Sequence, residues 1–345
     1  MTVRPRPFGM LLPFGRKALL AALGLIWAVQ AYAGPPGNDY AEPGSRTSEM
    51  IRYDWVDQQR RRPVPVTIYY PGTGGPWPVI VFSHGLGGTR DSYDYLGRHW
   101  AGHGFISIHP QHQGSDDEVW RDKERPVQEL RRSVEDPKNS LERPADVKFV
   151  LDRLTLVNRE EGPLQGRLDL NRAGAAGHSF GAYTTLAVAG QLFIGPLGRE
   201  LSFPEPRIKA AVIMSAPVGA AKKHPDRSFE RIGIPCLHLT GDKDYSPIDP
   251  NTKPGDRRLP FDHIQDSDQY LVVFRGGDHM VFAGRRLHKS DPQDPYIHRL
   301  IRMSTTAFWQ AYLKEDQAAR DFLVQGDGLL QALDGLGTLE KKARF

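Results

Sequence analysis

The chain of 345 residues contains one cysteine, Cys236. A lone thiol cannot close an intramolecular disulfide, and it excludes zinc sites built on paired cysteines. Cys236 stands in Ile234-Pro235-Cys236-Leu237-His238-Leu239, which reads as a buried strand, so it is expected to be a small core residue and not a nucleophile. The sequence also lacks a Walker pattern, an H-E-x-x-H pair, any repeat of about 20–50 residues and an apolar run of about 20 residues. Nucleotide-phosphate chemistry, zinc peptidases, solenoids and spanning helices lose their sequence basis. Acidic residues are missing from the first 33 positions, which hold four of the 45 basic residues and none of the 41 acidic ones. The remainder therefore carries equal numbers of each sign. The formal net charge of +4 is a property of that leading segment and offers nucleic acid no binding surface. The densest basic run, Arg60-Arg61-Arg62, reads as a solvated loop.

The leading segment has its own logic. Arg16-Lys17 precede an apolar run over 18–29, followed by Ala31-Tyr32-Ala33. A positive start, about a dozen apolar residues and a small-x-small site make a secretory signal, 1–33, with the mature chain beginning near Gly34. No cysteine is placed for lipid attachment, and Pro5 separates Arg4 from Arg6, so there is no twin-arginine pair. The expected protein is periplasmic or extracellular, with no stable membrane span in the mature form. Residues 34–345 are long enough for one large core and are expected to form one domain.

Short β-rich runs at 66–70, 79–82, 105–109, 173–176, 208–214, 235–240 and 270–274 alternate with helical patterns at 145–156, 182–192 and 296–313. This alternation predicts an α/β fold, a mostly parallel central sheet with helices on both faces. Runs such as Val79-Ile80-Val81-Phe82 are apolar throughout, as strands covered on both faces must be. Two stretches, 111–140 and 247–267, are charged, contain proline and break the rhythm; they read as loop insertions.

The chemistry gathers at the ends of those strands. Gly177-His178-Ser179-Phe180-Gly181 follows one strand and opens a helix, the context that gives G-x-S-x-G its meaning and makes Ser179 the candidate nucleophile. A serine hydroxyl requires a base and an orienting carboxylate, in the chain order Ser, acid, His for this fold. Gly241-Asp242-Lys243-Asp244 follows the strand at 235–240; Asp244 is preferred as the acid, because Asp242 stands in the turn where an aspartate often caps backbone. His279 ends Arg275-Gly276-Gly277-Asp278-His279 on a glycine-hinged loop and is the candidate base, whereas His263, His288 and His298 read as surface residues. The oxyanion donors are expected to be the N–H of Phe180 and, from the glycine-rich run His84-Gly85-Leu86-Gly87-Gly88, the N–H of Leu86. His84 is expected to buttress that loop. His103, His109 and His112 straddle a strand and its exit, a poor spacing for a metal. No metal or cofactor is expected.

Phe82-Ser83-His84-Gly85-Leu86-Gly87-Gly88, Gly102-His103-Gly104-Phe105-Ile106 and the Ser179 motif together resemble the platelet-activating-factor acetylhydrolase-like and dienelactone-hydrolase-like branch of α/β-hydrolases, from about Val66 to Leu313. The resemblance implies a triad of Ser179, Asp244 and His279, with Leu86 and Phe180 as oxyanion donors. It also implies a serine carboxylesterase or acetylhydrolase acting on a small-molecule ester of short acyl chain. Serine here, in place of the cysteine of true dienelactone hydrolases, argues against a lactone substrate. The single cysteine sets the chain apart from polyester hydrolases and cutinases, which generally carry disulfides. An amidase or peptidase would use the same triad, and a binding protein retaining the fold is a third class. Trp120, in the charged loop 111–140, is expected to border the pocket and favour short acyl chains.

Overall fold

The computed structural model describes residues 38–195, 198–284 and 291–342; the expected signal, 1–33, and His288 lie outside the described residues. Nine strands make one sheet: β1 (Ser48–Asp57), β2 (Arg62–Pro71), β3 (Trp77–Ser83), β4 (Ile106–Pro110), β5 (Leu168–His178), β8 (Ile208–Met214), β9 (Cys236–Lys243), β10 (Gln269–Asp278) and β11 (Gly337–Lys342). A separate hairpin joins β6 (Leu192–Ile194) to β7 (Glu200–Ser202). The sheet order is β1-β2-β4-β3-β5-β8-β9-β10-β11. Neighbours from β4 to β10 run parallel. The pairs β1–β2, β2–β4 and β10–β11 are antiparallel.

All seven runs read from the sequence fall on strands of this sheet, and the α/β-hydrolase architecture is as expected. Both faces are covered. Val79 and Val81 pack with Val147, Val150, Leu151 and Leu154 of the helix Pro137–Val157, while Ile80 and Phe82 join Trp100, Phe308 and Trp309 on the opposite face. Alternate residues of one apolar strand thus feed two cores. The strands β1 and β11 lack a clear sequence pattern because they are edges, where exposed and half-buried residues mix and charges interrupt the apolar ones.

The insertion 111–140 is more ordered than its composition suggests. It holds a short 3-10 turn, Asp117–Val119, the helix Pro126–Glu135 and the first turn of the helix Pro137–Val157. In the same way 247–267 contains the turns Pro254–Arg258 and Leu259–His263. Pro144 lies inside the long helix. It has no N–H for the carbonyl of Ser140, four residues earlier, and the hydroxyl of Tyr183 donates to that carbonyl instead, at 3.1 Å. The replacement ties the long helix to the helix Phe180–Ala189.

The carboxyl ends of β3, β5, β8, β9 and β10 meet along one edge, the usual ligand edge of a parallel sheet. They deliver His84, Ser179, Ser215, Asp244 and His279 to one place.

Candidate active site

Ser179 sits between β5 and the helix Phe180–Ala189 at φ 54° and ψ −117°. A β-carbon residue rarely holds this conformation, and it turns the side chain sharply out of the strand. Glycine is required on both sides. A Cβ at position 177 would lie 2.3 Å from the carbonyl oxygen of Gly181, and one at 181 would lie 1.9 Å from that of Ser83. The Ser179 N–H donates to the Met214 carbonyl at 2.9 Å, fixing the turn to β8. Ser179 is partly exposed while every neighbour in the motif is buried.

His279 stands on the short 3-10 segment His279–Ala283, capped by the Asp278 carboxylate, which accepts from the N–H groups of Met280 and Val281. Its Nε2 is 3.0 Å from Ser179 Oγ and its Nδ1 2.8 Å from Asp244 Oδ1. Asp244 is fully buried. The hydroxyl of Ser215 donates to Oδ1 at 2.9 Å, and that of Thr240 donates to Oδ2 at 2.8 Å. Arg257 lies 3.5 Å from Oδ1. Burial works to raise the Asp244 pKa, but the His279 hydrogen bond, the charges of His279 and Arg257 and the Ser215 hydrogen bond outweigh it and hold the pKa below the usual range. The carboxylate is therefore ionised at neutral pH, with Nδ1–H of His279 as its donor. Such a series of hydroxyl, imidazole and carboxylate can take a proton from Oγ as the serine attacks. Asp242 is elsewhere: its carboxylate accepts from the N–H of Gly276 at 2.7 Å, bracing the loop that carries His279.

The run after β3 lies against the Ser179 turn; a Cβ on Gly85 would touch Nδ1 and the carbonyl of His178 at 3.4 Å. Gly87 N–H donates to the Ser115 carbonyl and Gly88 N–H to the Gly85 carbonyl. Among the described residues the N–H groups of Leu86 and Phe180 make no hydrogen bond, which leaves both free to donate to a ligand. Trp120 supports this loop: its Nε1 donates to the Gly87 carbonyl at 2.8 Å. Its ring lies against the same loop, where a Cβ on Gly87 would sit 2.9 Å from it. His84 is buried and buttresses the loop as expected, with Nδ1 donating to the Gly85 carbonyl at 2.7 Å and Nε2 accepting from the His112 N–H at 3.0 Å.

Several residues of this region left no motif. Ser215, held at φ 55°, Thr240 and Arg257 surround the acid. His178 packs its ring 4.8 Å from that of His279, and its Nδ1 is 2.7 Å from the Tyr93 hydroxyl. Burial keeps it neutral, well below the ordinary histidine value. Their one sequence signal is position: Ser215 and Thr240 are polar residues at or just beyond the carboxyl ends of apolar strands. The other histidines are dispersed. His103 meets the Glu42 carbonyl, His109 the Ser107 hydroxyl, His263 the Asp226 carboxylate and His298 the Val281 carbonyl.

A nucleophile-type turn on a mostly parallel nine-stranded sheet, with a histidine and a buried carboxylate in series behind it, is the arrangement of the α/β-hydrolase class of serine hydrolases. Within that class the chain belongs to the Chlorophyllase family, whose model matches residues 38–223. It is 24% identical over 271 residues to cutinase est1 of Thermobifida alba, covering 78% of this chain and 72% of that one. A cutinase of Thermobifida fusca is 25% identical over 266 residues, 76% of this chain and 69% of the relative. Platelet-activating factor acetylhydrolase of Cavia porcellus is 29% identical over 143 residues, 33% of this chain and 32% of that protein. The chain is an ester-cleaving serine hydrolase. The cutinase matches cover 76–78% of this chain, so its single cysteine does not preclude a likeness to cutinases.

Proposed function

We propose that this protein is an exported carboxylesterase in which Ser179 is the nucleophile, His279 the general base and Asp244 the orienting acid, with the N–H groups of Leu86 and Phe180 as the oxyanion hole. One observation carries the reading: His279 bridges Ser179 and Asp244 at 3.0 and 2.8 Å through its two different ring nitrogens. Ser179 Oγ attacks the ester carbonyl as its proton passes to His279 Nε2, and the imidazolium is stabilised by Asp244. The carbonyl oxygen becomes an oxyanion held by the two amides, each worth about 3 kcal/mol to the transition state. His279 then protonates the departing alcohol, leaving an acyl-serine. Water, deprotonated by the same nitrogen, hydrolyses that ester and restores Ser179.

Export is supported by the composition of residues 1–33, with 34–345 acting as one mature domain. Among the described residues no helix is long and apolar enough to cross a membrane. Short acyl chains are favoured by the charged insertion 111–140 and by the likeness to an enzyme named for removing an acetyl group. A long chain would gain about 0.8 kcal/mol per buried methylene only in an apolar channel. The test is kcat/KM over p-nitrophenyl esters with a p-nitroanilide alongside: acetyl and butyryl esters are expected to lead, with the anilide far slower. A steady rise through decanoate would overturn the short-chain reading, and faster anilide cleavage would move the protein to the amidases.

A further inference from the structure

One fully buried charge takes no part in the chemistry above. Arg143, in the helix Pro137–Val157, has no exposed surface and makes no ion pair among the described residues. Its guanidinium is spent on three different elements. Nε donates to Thr184 Oγ1 at 2.8 Å, Nη1 donates to Ser115 Oγ at 2.8 Å and Nη2 donates to the His84 carbonyl. Its plane lies 4.6 Å from the Phe180 ring centre. The contacts lead to the two residues that carry the free amides, through Thr184 to Phe180 and through His84 and Ser115 to the turn around Leu86. Thr184 Oγ1 donates onward to the Phe180 carbonyl at 3.1 Å, in the first turn of the nucleophile helix. The Ser115 carbonyl accepts from Gly87 N–H at 2.8 Å, so Arg143 grips the residues on both sides of Gly85 and Leu86. The Gly85 carbonyl is itself held by His84 Nδ1–H at 2.7 Å and by Gly88 N–H at 3.1 Å. In a planar trans peptide the N–H points opposite to the carbonyl, so fixing the Gly85 oxygen inward aims the Leu86 N–H outward.

We infer that Arg143 is a positioning residue, whose buried guanidinium sets the orientation of the Leu86 and Phe180 amides and holds a fixed positive charge behind the oxyanion they would bind. The inference rests on the reading of Ser179 as nucleophile. The charge of Asp146 acts on Arg143 without an ion pair between them, and a buried cation that touches no carboxylate is costly to fold around, where an apolar side chain of the same length would fill the space. A negative charge that forms only during reaction is one this cation is placed to stabilise, and dipoles and charges fixed in advance are what such a transition state rewards. Burial brings the Arg143 pKa down to about 9, which leaves the group charged at neutral pH.

The test compares the wild-type chain with Arg143→Met, Arg143→Lys, Ser115→Ala, Thr184→Val and Ser179→Ala. The readouts are kcat and KM for p-nitrophenyl acetate per site titrated with a fluorophosphonate, the Ki of a trifluoromethyl ketone that forms an oxyanion on the serine, and the melting temperature. Arg143→Met is expected to lose about 100-fold in kcat with KM within about threefold, and the ketone Ki should rise in step with the loss in kcat/KM. Arg143→Lys, which keeps charge but not the fork, should recover about tenfold of that loss. Ser115→Ala and Thr184→Val should each lose a few fold in kcat. A merely structural arginine would lower the melting temperature while leaving kcat per titrated site and ketone affinity at wild-type values, and that result overturns the inference. If Arg143→Met does not fold, the two smaller variants decide on the same criterion. Activity persisting in Ser179→Ala overturns the reading of the site together with this inference. An inactive Ser179→Ala beside a fully active Arg143→Met overturns the inference alone.

Discussion

Two series of serine, histidine and aspartate run through this molecule. In one, Ser179, His279 and Asp244 are linked at 3.0 and 2.8 Å. In the other, Ser83 Oγ is 3.0 Å from His112 Nε2, and His112 Nδ1 is 2.9 Å from Asp146 Oδ2. The distances barely differ, yet the surroundings do. Ser83 ends a regular strand and, like His112 and Asp146, is buried. Asp146 is also paired with Arg62 at 2.8 Å. Ser179 occupies a strained turn, partly exposed, beside two amides with free hydrogens. A hydrogen-bonded series alone is a way to satisfy buried polar groups; it becomes a catalytic arrangement only with access, a displaced hydroxyl and a place for negative charge. The buried series fastens the end of β3 to the insertion 111–140 and so serves as scaffolding for the loop above it.

The contrast can be broken most sharply at the acids. Asp244→Asn should lower kcat by about 10⁴-fold, because an amide neither stabilises the imidazolium nor keeps the required tautomer. Asp242→Asn should cost less than about tenfold, since the amide oxygen still accepts from the Gly276 N–H and the brace on that loop is only weakened. Steady-state kinetics of the two variants check this, and the reverse order would reassign the acid.

A second difference concerns acid. Burial pushes the His112 pKa down to about 3, with the Arg143 charge adding to the effect and the Asp146 contacts opposing it. The unfolded chain takes up a proton near pH 6.5 that the folded chain refuses until about 3. Stability from this group is thus lost as pH falls through that window, by about 1.4 kcal/mol per pH unit. In His112→Gln the urea-unfolding free energy should fall less steeply between pH 6 and 4 by about that slope. Parallel curves for variant and wild type would show that His112 is not held neutral.

The smallest effect is expected at Ser83. Ser83→Ala leaves His112 Nε2 without its donor and should cost about 1–2 kcal/mol in unfolding free energy, while kcat stays within about tenfold. A loss in kcat like that of the Asp244 variant would erase the distinction between the two series.

The residues of the proposed site were more legible in the sequence than those that support them. Ser179 and His279 were legible because glycines mark the tight approaches, and Asp244 because a strand ends just before it. The central strands were legible because each is apolar on both faces. The strands β1 and β11 were not, being edges with exposed charge. The helix Pro126–Glu135 was hidden by its charged composition, and the start of the helix Pro137–Val157 by Pro144, whose missing hydrogen bond is made good only by distant Tyr183. Arg143, Ser115, Thr184 and Ser215 are brought together from separate elements, and contacts of that kind have no local pattern.

Of the two serines, only Ser179 should react. Wild-type protein, Ser179→Ala and Ser83→Ala would be treated with a fluorophosphonate and digested, and the modified peptide located by mass spectrometry. The predicted result is one adduct per chain on Ser179 in the wild type and in Ser83→Ala, and none in Ser179→Ala. An adduct on Ser83, or labelling that survives the loss of Ser179, would contradict it.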